Sequence, residues 1–249
     1  MFAILFAASL FSAIVVLPYA LELEKDVLAS SPMPLTAIIA VSIVQSAVLF
    51  AAFIFVGLNL SRKVGLGLPL VEKWLEGKAL KKELAAVLRS SITLGALAGI
   101  AIVGLDFVFF HLGAPISLGQ AEPPVWMGLL ASFYGGIGEE IMMRLFLMTV
   151  LVWLSYKISK TADGKPTTTG IWAAIILSSV LFGLGHLPAT AAITAITPLV
   201  LARALLLNGV GGVLFGWLYW KKGLESAIAA HFTADIVLHV ILPLLALAG

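Results

Sequence analysis

Phe133–Met148, reading FYGGIGEEIMMRLFLM, carries two adjacent glutamates, Glu139 and Glu140, and one arginine, Arg144, inside a run apolar enough to cross a membrane. No other Asp, Glu, Lys or Arg lies between Glu122 and Lys157. An ionisable group near a bilayer centre costs roughly 2.5–3.5 kcal/mol, so such groups are usually paired, turned toward protein or cavity, and functional. The stretch therefore reads as a membrane helix that holds a working site. Whether the rest of the chain supplies partners decides that reading.

Hydrophobic residues make up 61% of the 249 and charged residues 11%, with a mean hydropathy of +1.11. Soluble globular domains lie well below this. The expected fold is an all-α polytopic membrane protein, because long continuous apolar runs suit helices, whereas barrel strands alternate over about ten residues. The net charge of +2 points to no partner, since the basic residues gather at the ends of apolar runs, where they set topology. No nucleic-acid surface is expected. The absence of cysteine excludes disulfides, thiolate metal sites and a cysteine nucleophile, leaving carboxylate, histidine and hydroxyl chemistry.

Working outward, residues 1–21 form an uncharged apolar run without the basic start or cleavage site of a signal peptide, and read as a retained first span. A second span is expected at about 36–58, a third at 90–110, a fourth at 125–155, a fifth at 171–187 and a last at 226–247. Between the second and third lies a basic segment, 62–89, where Val71, Trp74, Leu75, Leu80, Leu84, Val87 and Leu88 recur at helical spacing. It is expected to be a cytoplasmic amphipathic helix on the inner membrane face. The connector His111–Pro124, without Lys or Arg, should lie outside, and Lys157–Gly170 inside. Residues 189–220 are too many for one straight span and too few for two, and are interrupted by Pro198, Arg203 and Asn208. The expectation is seven or eight transmembrane helices in one bundle, a single membrane domain over 1–249, with the N-terminus and the 62–89 loop cytoplasmic.

Residues four apart share a helix face, so Glu140 and Arg144 can pair, while Glu139, turned by about 100°, is left free as a base. Gly135, Gly136 and Gly138 permit close approach of another helix. Phe182 and His186 stand four apart in SSVLFGLGHLP, and His231 and Asp235 do so in AAHFTADIVLH, with His239 one repeat further on. An aspartate one turn from a histidine can fix its tautomer. Other polar residues take plainer readings: Asp106 with His111 near the outer interface, Arg203 and Asn208 at a helix break, with Arg203 also able to reach a substrate carboxylate.

Glu139-Glu140-x-x-x-Arg144, Phe182-x-x-x-His186 and His231-x-x-x-Asp235, in this order on three apolar spans, resemble the motif set of the CAAX protease and bacteriocin-processing (CPBP, or Abi) family of intramembrane endopeptidases, related to the type II CAAX prenyl proteases. The resemblance covers about 133–240, the catalytic core helices. It implies hydrolysis of a peptide bond in a membrane-associated or lipidated, CAAX-type substrate. Glu139 with His186 would activate water, His231 and Asp235 would face the oxyanion, and Glu140, Arg144 and Phe182 would support the site. Prenyl-processing members prefer asparagine where this chain has Asp235, and an ionised carboxylate would repel an oxyanion. Protonation of Asp235, or a role for it in orienting His231 or binding metal, are the alternatives.

No cofactor is expected, and no H-E-x-x-H pattern is present. Were the enzyme metal-dependent, Glu139, His186, His231 and Asp235 would form the set, with zinc as the metal. The expected partners are membrane lipids and a peptide or lipidated protein. Two other classes fit buried charges: an ion- or proton-coupled transporter, which should show internal repeats, none of which is evident, and a non-catalytic immunity or scaffold protein.

Overall fold

A computed structural model describes residues 1–116 and 123–248, so the middle of the connector expected outside lies beyond the described residues. Among the described residues, seven helices are long and apolar enough to span: α1 Phe2–Leu23, α2 Leu35–Val64, α3 Lys81–His111, α4 Val125–Ile158, α5 Thr168–Ile193, α6 Pro198–Lys222 and α7 Leu224–Ala246. Among the described residues there is no strand, only one antiparallel bridge between Lys160 and Pro166. The protein is an integral, multi-pass, all-α membrane protein.

Local chemistry sets several of the helix ends. Helix α2 stops at Gly65, whose φ of 72° supplies the left-handed turn, and Leu66 N–H returns to the Ser61 carbonyl at 3.0 Å. Helix α6 opens with Thr197, whose hydroxyl accepts from Val200 N–H at 3.2 Å, followed by Pro198 in the first turn. This resolves the 189–220 stretch. Residues up to Ile193 are the tail of α5, which turns at His186, and Pro198 starts one full span where the sequence left it as an interruption.

The basic segment 62–89 also differs from the continuous helix expected over 71–88. Arg62 and Lys63 end α2, a short helix covers Pro69–Leu75, and Leu84, Val87 and Leu88 lie in α3. Gly77, at φ 71°, separates the two pieces. Glu225 fastens the short helix to the start of α7, its Oε1 accepting from Leu70 and Val71 N–H, each at 2.9 Å.

The excess length of α4 is taken up inside it. Val125–Phe133 is α-helical, Tyr134–Glu139 and Ile141–Met148 are π-helical, and Thr149–Ile158 is α-helical again. Turns of this kind occur frequently at functional sites.

Helix α7 packs against α3, α4 and α6. Its contact with α3 is close enough to exclude side chains: a Cβ on Gly95 would strike the Ala230 carbonyl, and one on Gly99 would come within 2.8 Å of Val237. Small residues at such seams let backbones approach where burial of apolar surface gives no drive in lipid. Gly104, further along α3, faces open space. Gly95→Ala should destabilise the fold by about 1–3 kcal/mol, read as a lowered unfolding midpoint in detergent, while Gly104→Ala leaves the midpoint unlowered.

Candidate active site

The centre of the bundle is assembled from α4, α5, α6 and α7. The Nδ1–H of His231 donates to Glu140 Oε1 at 2.8 Å, a direction set by the partner, because an ionised carboxylate only accepts. Arg144 Nη1 reaches the same oxygen at 3.1 Å, and its Nη2 donates to the Gly212 carbonyl at 3.2 Å. Glu140 and Arg144 are buried, and Glu140 Oε2 has no hydrogen-bond partner. A guanidinium keeps its charge in such a place, and Glu140 balances it.

Aromatic rings close this arrangement. The Arg144 guanidinium lies 5.3 Å from the ring centre of Phe182 and 5.5 Å from that of Phe215. Phe215 stacks on His231 at 4.5 Å, and Phe182 meets His231 edge-on at 6.0 Å and His186 at 4.7 Å. Phe182 thus touches both histidines. His186 Nδ1 is within 2.8 Å of the Phe182 carbonyl, to which it donates, leaving Nε2 as its outward nitrogen.

The other nitrogen of His231, Nε2, faces two further carboxylates, Asp235 Oδ1 at 3.6 Å and Glu139 Oε2 at 3.8 Å. The Glu139 side chain is 20% exposed, that of Glu140 not at all. Gly135 leaves the room for this: a Cβ there would collide with the Asp235 carboxylate and come within 3.3 Å of His231 Nε2.

The structure therefore brings Glu139, Glu140, Arg144, Phe182, His231 and Asp235 together, with His186 against the Phe182 ring. The Glu140–Arg144 pair is as the spacing predicts. One expectation changes: the carboxylate that holds His231 by a short bond is Glu140, and Asp235 stands beside the opposite nitrogen. His239, one turn beyond Asp235 on α7, has its ring 5.8 Å from that of Tyr19. Asp106 pairs with Arg203 at 2.6 Å across α3 and α6, where the sequence set it beside His111. Phe215 and Gly212 were missed; nothing in an apolar helix distinguishes one phenylalanine or glycine from another.

Residues 121–237 match a family model described as Type II CAAX prenyl endopeptidase Rce1-like. Over this segment the chain is similar to the CAAX protease family. No curated protein and no solved structure matches the chain. The CAAX protease match takes in α4 to the middle of α7 and every site residue named above, while α1 to α3 lie before it. Among the described residues, no group of three or more His, Asp or Glu side chains is placed to hold a metal ion.

Glu140→Gln removes the charge that balances Arg144 and should cost about 3–5 kcal/mol, the usual effect of breaking a buried pair. Adding Arg144→Met should restore most of it. Unfolding of the single and double variants in detergent measures both.

Proposed function

We propose that the protein is an intramembrane endopeptidase that cleaves a peptide bond in a membrane-associated or lipidated substrate, with Glu139 activating the attacking water. The observation that carries this reading is the division of the glutamate pair. Glu140 is buried and committed to Arg144 and His231, while Glu139 is the more exposed and faces His231 Nε2. A base must be reachable by water, and of the two only Glu139 is.

In this reading water is held between Glu139 and Nε2 of His186. Its oxygen attacks the carbonyl carbon as its proton passes to Glu139. The carbonyl oxygen becomes an oxyanion facing His231 Nε2. Glu140, neutralised in part by Arg144, steadies an additional proton on this ring, so that Nε2–H can donate to the oxyanion. Asp235, 3.6 Å from Nε2, joins as a donor in its protonated form. Glu139 then returns its proton to the leaving nitrogen, the C–N bond breaks, and a carboxylic acid and an amine result. The protein side chains suffice for each transfer, and we propose that catalysis needs no metal.

The basic residues support an orientation. If each of the seven helices crosses the membrane, Met1 shares a side with 62–89, 159–167 and Gly223, the ends where Arg62, Lys63, Lys157 and Lys221 gather. By the positive-inside rule this side is the cytoplasm.

Glu139→Ala should lower cleavage of a lipidated reporter peptide by at least about a hundredfold, the low end for loss of a general base, while the protein keeps its unfolding midpoint. Cleavage retained by that variant overturns the assignment. Chelators should leave wild-type cleavage undiminished; loss with zinc-specific rescue would show a metal enzyme.

A further inference from the structure

Two cavities outside the centre meet at a pair of tryptophans. The first, of about 550 Å³, lies where α2 and α6 end and is lined by Arg62, Lys221 and Lys222 together with Glu72 and Trp220. Three cations face one carboxylate there, so the cavity favours an anion. Lys222 Nζ donates to Ser90 Oγ at 2.7 Å and Lys221 Nζ stands 3.5 Å from the ring centre of Trp220, while Arg62 and Lys221 are exposed. The second, of about 660 Å³, is an apolar groove between α5 and α6, lined by Trp172, Ile176, Val180, Leu206, Gly209 and Trp217 among others. Ser179 also lines it, but its hydroxyl is committed to the Ile175 carbonyl at 2.7 Å. Trp220 of the first cavity meets Trp172 of the second edge-on, with ring centres 6.1 Å apart.

Gly209 gives the groove its depth. Glycine inside a helix is less stable than alanine, and elsewhere on α6 packing explains it: a Cβ on Gly212 would come within 2.7 Å of Ser179. At Gly209 a Cβ would meet nothing within 4 Å. Packing within the protein therefore does not require this glycine, whereas an occupant of the groove would. On α6 the lining runs from Leu205 to Trp217, twelve residues, or about 18 Å at the α-helical rise. One leaflet of hydrocarbon is about 15 Å, half of a core about 30 Å thick. The groove thus has the length of one leaflet, with tryptophan and lysine at one end, as interfacial residues are placed.

We infer that the two cavities together bind one anionic phospholipid, its phosphate among Arg62, Lys221 and Lys222 and an acyl chain along the groove between α5 and α6. Basic pockets at the ends of membrane helices hold anionic headgroups in this way. An uncharged lipid uses only the groove, and a free phosphate only the basic cavity. None of these residues belongs to the catalytic centre, so the site stands whatever reaction that centre performs.

The test uses the full-length protein in detergent with three probes: dioleoyl phosphatidylglycerol, dioleoyl phosphatidylcholine and glycerol 3-phosphate. Bound lipid is counted by native mass spectrometry, and the unfolding midpoint is followed as each probe is added. Wild type should retain one phosphatidylglycerol about tenfold more tightly than phosphatidylcholine, the scale expected for a few cations at an anionic headgroup, and its midpoint should rise with that lipid alone. Arg62→Gln/Lys221→Gln should bring the ratio to about one. Gly209→Leu should weaken both lipids by about tenfold, with the lipid-free midpoint unlowered because the new side chain enters open space. Should Gly209→Leu fail to fold, the double variant, whose replaced side chains are exposed, still decides the matter. Equal retention of the two lipids by wild type overturns the inference, as does a preference that survives loss of both cations or undiminished binding by folded Gly209→Leu. Glycerol 3-phosphate raising the midpoint as far as the lipid does would show a phosphate site without a chain, and overturns it too.

Discussion

A single carboxylate oxygen, Glu140 Oε1, takes both the Nη1 of Arg144 and the Nδ1–H of His231. In a medium without water this junction is costly to disturb, because removing any member leaves a buried charge or donor uncompensated. The rest of the centre follows from it. Arg144 is held in reach of the Gly212 carbonyl and between Phe182 and Phe215, and His231 is turned so that Nε2 faces Glu139 and Asp235. Neighbouring glutamates on one helix thus differ in exposure and in partners.

Much of this was legible in the sequence. Long apolar runs mark the spans, since only helices satisfy backbone groups in lipid without an edge, and spacing by four pairs Glu140 with Arg144. The bond between Glu140 and His231 was not legible, because the period of a helix reports which residues share its own face and not which helix docks there. Asp235, one turn from His231, was therefore the natural candidate for the short bond that Glu140 makes. The π-helical stretches of α4 leave hydropathy unchanged and so leave no trace in its pattern. Pro198 did carry a signal: preceded by Thr197 it is a helix start, and the same letter counted as a breaker hides a full span.

The family match begins near the start of α4, yet α3 is part of the architecture that the site needs. Its glycines admit α7 to within backbone contact, and its Asp106 holds Arg203. Among the apolar early spans, which carry none of the family's motifs, α3 therefore bears on the centre by fixing where α7 lies. Hydrophobic residues on their outer faces, such as Val44, Val48, Phe55 and Phe107, are exposed because the bilayer covers them.

At Gly135 the packing surface and the reactive surface are one. The missing Cβ that lets α4 approach α7 is also the space occupied by the Asp235 carboxylate. The centre has no wall of its own between these helices, so its shape is that of the seam. A slight parting of α4 from α7 widens the distance from His231 Nε2 to Glu139 before any helix unwinds. The geometry of the centre thus follows the spacing of two helices, which the thickness of the surrounding bilayer bears on without any ligand.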